Sequence, residues 1–67
     1  MAGAHGVILF HNHPGGNPTP GRADIEMTEA LRKALAVLDI KLLDHVILGE
    51  KSYFSFCEEK ETRYRRA

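Results

Sequence analysis

Two hydrophobic spacings alternate along this chain. The first is a short unbroken run, "GVILFHNH" (residues 6–13), rich in branched and aromatic side chains. Consecutive apolar residues without a polar gap predict a strand buried on both faces, inside a sheet rather than at its edge. The second spacing is helical. Ile25, Thr28, Leu31, Leu35 and Leu38 recur at three- and four-residue intervals, and Met27 and Ala34 widen the stripe. Glu26, Glu29 and Lys33 fall on the opposite side, with Glu29 and Lys33 one turn apart in the favourable order. A helix over residues 21–38 follows, with Thr19 and Pro20 read as its N-cap and first position.

"LLDHVILG" (residues 42–49) returns to the unbroken apolar pattern and predicts a second strand. "EK" then turns the chain into "SYFSFC", where Phe54 and Phe56 alternate with Tyr53 and Ser55 as in a half-exposed strand. The predicted fold class is α/β: a β-α-β-β unit with a parallel strand pair, a helical crossover and a C-terminal hairpin. Residues 1–58 make up the domain, and residues 59–67, "EKETRYRRA", a charged tail. Its pairs Glu59–Arg63 and Glu61–Arg65 suit a solvated helix or a frayed end.

At 67 residues the chain holds one domain. A core of that size is marginal without a metal or a partner. The single cysteine, Cys57, forms no intrachain disulfide and fits a reducing cytoplasm. No secretory signal and no apolar run of membrane-spanning length is visible. Nine basic residues balance nine acidic ones, which removes the electrostatic case for nucleic acid or an anionic membrane. Arg63, Arg65 and Arg66 do not restore it, because glutamates interleave with the tail's positive charge.

The chemistry concentrates in "FHNHPGGNPTPGRAD" (residues 10–24). On a strand His11 and His13 share one side, and Asn12 takes the other. On a helical wheel of about 100° per residue, Asp24 lands within the apolar stripe, in the turn nearest the loop. A carboxylate facing the sheet is costly unless a cation or hydrogen-bond donor meets it. Two imidazoles and a carboxylate, with a fourth position for water, form the donor set of a catalytic zinc site. Gly15, Gly16 and the prolines would then bend the chain to bring strand end and helix start together. The plainer reading is a polar strand end and an aspartate that caps helix amides. At this point both stand. His45 reads as a hydrogen-bonded core histidine, His5 as solvent-exposed and Cys57 as packing. Glu26 and Glu29 fall on the solvent side and Glu50 in a turn, so none is placed as a general base.

The segment His11-Asn12-His13-Pro14-Gly15-Gly16-Asn17-Pro18-Thr19-Pro20-Gly21-Arg22-Ala23-Asp24 closely resembles the metal motif of the RadC-like proteins. These are a bacterial branch of the JAB/MPN (JAMM) metalloprotein superfamily, with the pattern H-x-H-P-S-G-D-P-x-P-S-x-x-D. "ADIEMT" and "LLDHVILGEKSYFSF" are similar to the family as well, and the resemblance covers residues 4–58. It implies the C-terminal part of a deaminase-like domain, with His11, His13 and Asp24 as ligands of Zn2+. It further implies a metallopeptidase-type zinc hydrolase acting on peptide or isopeptide bonds, associated with DNA repair by family name only.

The departures carry as much information. The family's general-base glutamate lies on an earlier strand, which the resemblance places upstream of this chain. The second motif serine, which supports the developing oxyanion, is Gly21 here, and Gly15 and Asn17 replace a serine and an aspartate. Proton transfer and oxyanion support each supply on the order of a hundredfold or more. The expectation is therefore a zinc site with little hydrolytic power alone, completed by a missing-half partner or a second copy. The alternative is a non-enzymatic remnant that serves as an oligomeric or partner-dependent interaction module. A sheet lacking neighbours exposes a strand edge, so a homo-oligomer is expected. The letters "HNH" do not indicate an HNH nuclease, whose three residues are spread through a hairpin-helix unit. Barrels with a His-x-His strand need a much longer chain.

Overall fold

The apolar runs on either side of the helix become neighbours in the fold. A computed structural model describes residues 5–65. Strand β1 (His5–Asn12) pairs in parallel with β2 (Ile40–Leu48), and helix α1 (Arg22–Val37) connects them. Strand β3 (Ser52–Ser55) runs antiparallel to β2, and β4 (Lys60–Arg63) antiparallel to β3. The sheet order is β1-β2-β3-β4, so the predicted parallel pair, crossover and hairpin are all present.

The charged tail differs from expectation. Residues 60–63 form a strand rather than a helix or a frayed end. Glu59 takes a left-handed conformation (φ 58) and its N–H bonds to the Ser55 carbonyl, which reverses the chain. Tyr64 then anchors the return, its hydroxyl donating to the Gly49 carbonyl at 3.0 Å. Backbone pairing and one tyrosine override the helical charge spacing. On the helix, Glu29 pairs with Arg32 at 3.7 Å rather than with Lys33.

Strand β1 is the larger correction. It lies at the sheet edge, and it is not buried on both faces: Ile8 and Phe10 are 50% and 60% exposed. Register explains the asymmetry. Leu9 and His11 stand beside His45 and Ile47 of β2, on the face that α1 covers. Ile8 and Phe10 point to the other face, where no described element packs. The helical stripe is likewise only partly covered. Thr28 is buried and Leu31 and Leu35 half-buried, but Ile25, Met27 and Leu38 remain exposed.

A bulge sets the pattern on β2. Val7 pairs with Leu42 and Ile8 with Asp44, so Leu43 is an extra residue. Leu42, His45 and Ile47 consequently share burial although their spacing breaks strict alternation. Leu42 and Ile47 form the buried apolar core of the sheet, and Thr28, His45, Ser52 and Ser55 are buried with them. The two buried serines are satisfied by carboxylates. Ser55 Oγ donates to Asp44 Oδ2 and Ser52 Oγ to Glu61 Oε2, each at 2.6 Å. Asp44 Oδ1 also accepts from the N–H groups of His45 and Cys57. Cys57 itself is exposed, not packed as the sequence suggested.

Candidate metal centre

The proline-glycine loop folds back onto the turn between β2 and β3. Gly15 and Gly16 both adopt left-handed φ (86 and 84), which side-chain-bearing residues resist. The Gly16 carbonyl then accepts from Glu50 N–H at 2.9 Å, and Pro18 packs buried against Gly49. A Cβ on Gly49 would lie 2.4 Å from the Gly16 oxygen, so glycine is required there. Asn17 Oδ1 accepts from Thr19 N–H at 3.0 Å and closes the next bend. The helix begins later than predicted: its N-cap is Gly21, not Thr19, and Asp24 is the third helical residue.

That start places Asp24 at the mouth of the loop, with its side chain largely buried. Asp24 Oδ2 accepts from the Gly21 N–H at 2.7 Å and lies 3.0 Å from His13 Nε2. Its Oδ1 lies 3.4 Å from His11 Nδ1. One donor atom from each of His11, His13 and Asp24 falls within 4.8 Å of the others. The structure therefore brings together the three residues that the strand and wheel geometry pointed to. The capping role that the plainer reading assigned to Asp24 is present too, on the same carboxylate.

Each imidazole has a distinct environment. His13 Nδ1 is 2.9 Å from the Asn17 carbonyl, which can only accept, so Nδ1 carries the proton and Nε2 faces Asp24. The Asn17 bond, followed by Asp24, holds His13 above the ordinary histidine pKa against an opposing cost of burial. The Gly21 N–H, followed by His13 and then His11, holds Asp24 below the ordinary carboxylate pKa, again against burial. His11 Nδ1 is buried without a hydrogen-bond partner. That unsatisfied nitrogen beside a carboxylate fits the donor set of a metal ion.

His45 is fully buried and hydrogen-bonded, as expected of a core histidine, and lies outside the ligand trio. Burial, and secondarily His11, lower its pKa, so the ring is neutral. His5 is exposed, as are Glu26, Glu29 and Glu50, and none of these glutamates joins the trio. The sequence reading missed the Asn17 carbonyl as the group that orients His13. Only the Asx-type bend at Asn17–Thr19 hints at it. It also counted Thr28 as part of the apolar stripe, whereas its hydroxyl bonds to His45 and to the Asp24 carbonyl.

Comparison with known proteins agrees with the geometry. The family model described as "RadC-like JAB domain" matches residues 1–62. A UPF0758 protein of Carboxydothermus hydrogenoformans is 53% identical over 58 residues, 87% of this chain and 26% of that protein. One from Thermotoga maritima is 52% identical over 60 residues, 90% of this chain and 27% of that protein. One from Aquifex aeolicus is 54% identical over 56 residues, 84% and 24% respectively. The chain thus spans about a quarter of the length of the curated relatives it matches.

Proposed function

This chain belongs to the RadC-like JAB domain family, and on that premise we propose that it carries the metal-binding segment of a zinc-dependent hydrolase. The observation that carries this reading is the convergence of His11, His13 and Asp24 within 4.8 Å. A zinc ion held by them would polarise a carbonyl and lower the pKa of a bound water to about 7. The chain's own residues prepare the site. The Asn17 carbonyl fixes the His13 tautomer so that Nε2 faces Asp24, and the Gly21 N–H pins the carboxylate. Such outer contacts commonly change metal affinity by about 10–100-fold.

Proton transfer is what these residues supply least. Glu26 and Glu29 are exposed on α1 and Glu50 in the turn, and Gly21 offers no hydroxyl for oxyanion support. Hydrolysis of a peptide or isopeptide bond, the chemistry of the superfamily, therefore needs a base from another strand or chain. A role in DNA repair rests on the family association alone. The exposed thiol of Cys57 fits a reducing, cytoplasmic setting. No helix among the described residues is long and apolar enough to cross a membrane.

A second reading, an interaction module, is favoured by the open face of β1. The accessible surface is 5256 Å², about 1,000 Å² more than a folded monomer of this mass exposes. That excess is comparable to one side of a standard protein interface. Sedimentation at tens of micromolar tests it: association supports the module, and a well-folded monomer removes it.

Elemental analysis of untagged protein beside His13→Ala tests the metal reading. About one zinc per chain, lost in the variant, is the expected result. No zinc in either protein would leave the histidines as inherited motif and the module reading alone.

A further inference from the structure

Resting on that metal reading, we propose that His45 is the positioning residue of the centre, holding His11 by its ring face and Asp24 through Thr28. His45 sits on β2 directly beside the strand that bears His11. The two rings are nearly parallel, at 16° with centroids 5.8 Å apart. Phe56 stacks on His45 as well, at 5° and 4.8 Å, so the imidazole is fixed in its plane. The second link runs through the helix. Thr28 Oγ1 lies 2.7 Å from the Asp24 carbonyl and 2.6 Å from His45 Nδ1. A carbonyl only accepts, so the Thr28 hydroxyl donates to it, and His45 Nδ1–H donates to Thr28.

The consequence is geometric. Asp24 approaches from α1 and His11 from β1, and the covalent path between them is the loop of residues 13–21. His45 ties the first turn of α1 to β2 and presses a flat surface on His11, so both approaches share one reference. Metal sites tolerate errors of only about 0.5 Å in such placement. His45 Nε2 is buried with no hydrogen-bond partner. A phenylalanine would stack equally well without that desolvated nitrogen, so the Nδ1–H bond is what a histidine adds here. The ring is wholly buried and lies outside the ligand trio, which makes it a support rather than a group in contact with substrate.

The test is zinc affinity by competition with a chromophoric chelator, with the Co2+ absorption spectrum recorded on the same proteins. Thr28→Val removes the hydroxyl at constant shape, Thr28→Ser keeps it, and His45→Phe keeps the stack without the donor. Leu42→Val, buried near the other end of β2, measures the effect of general loosening. Thr28→Val and His45→Phe are expected to weaken zinc binding about tenfold and to alter the Co2+ spectrum. Thr28→Ser and Leu42→Val are expected to stay within about twofold of the original protein. If His45→Phe does not fold, the two Thr28 variants decide the matter. Unchanged affinity and spectrum in Thr28→Val would overturn the role of His45 and leave the metal centre standing. The same loss in Leu42→Val would overturn it too, since loosening alone would then account for the effect. An original protein that takes up neither ion overturns both readings.

Discussion

At the loop end of β1, His13 meets Asn17 and Asp24, and Asp24 in turn meets Gly21 and faces His11. Three residues earlier, on β1 itself, Phe10 is 60% exposed, and no described element covers it. The loop end draws its partners from within 14 consecutive residues, His11 to Asp24, together with the β2–β3 turn. The outer face of β1 has apolar surface and no partner in the described residues. A polar site can thus be assembled by local sequence, because its bonds are directional and short. An apolar face needs area, and area comes from other elements.

The largest effect is expected where the loop is pinned. Gly49→Ala puts a Cβ 2.4 Å from the Gly16 oxygen and 2.7 Å from Pro18 Cδ, and neither can give way without opening the loop. The expected cost is about 3 kcal/mol in urea unfolding of chelated protein, with zinc binding lost as well. A variant that keeps both stability and zinc would show that the ligand loop does not lean on the β2–β3 turn.

Next in size is the open face. Phe10→Asp is expected to weaken self-association at least tenfold, about 1.4 kcal/mol, while zinc per chain stays the same. Sedimentation and metal analysis on one preparation separate the two regions. Joint loss of association and metal would mean that the two regions are coupled rather than independent.

The fold was legible where periodicity speaks and covering elements exist. Strand, helix, strand and hairpin all follow from apolar spacing, and the helical wheel alone places Asp24 toward the sheet. Periodicity says which face would be buried, but not whether anything arrives to bury it. That is why Ile8, Phe10, Ile25 and Met27 were read as interior and are exposed. Strand β4 was hidden for another reason. "KETR" has no apolar alternation, and its pairing rests on backbone bonds and on Tyr64. Of the site, the side-chain ligands were legible, but the Asn17 carbonyl was not, since any residue can offer a carbonyl.

A smaller effect appears with pH in chelated protein. His13 is held above the ordinary histidine pKa of 6.5, so its stabilising share is full below that pH and is lost as pH rises through the folded value. Asp24 is lowered from 3.8, so its share is present above that pH and is lost as pH falls through the folded value. The stability gap between the original protein and His13→Gln should therefore be full at a pH below the ordinary histidine pKa and shrink as the pH is raised above it. The gap to Asp24→Asn should shrink as the pH is taken well below 4, the acid side of the same window. A His13→Gln gap that widens with rising pH would mean that His13 is neutral in the fold and that Asn17 and Asp24 do not hold its proton.

The smallest change bears on the reading of Gly21. Its backbone is extended (φ -88, ψ 175), which serine adopts freely, and a Cβ there meets only Asp24 Oδ2, at 3.5 Å. Gly21→Ser should therefore fit, cap the first turn of α1 and add a few tenths of a kcal/mol by thermal or urea unfolding. Zinc affinity should not move, because the Gly21 N–H that pins Asp24 is retained. An oxyanion donor can be worth a hundredfold or more in rate, but only where a base has already delivered the attacking oxygen. Among the described residues no glutamate is placed to do so, and the substituted chain alone should remain without measurable peptide hydrolysis. A clear rate from Gly21→Ser alone would show that the chain already holds its base, and the need for a second strand or partner would fall.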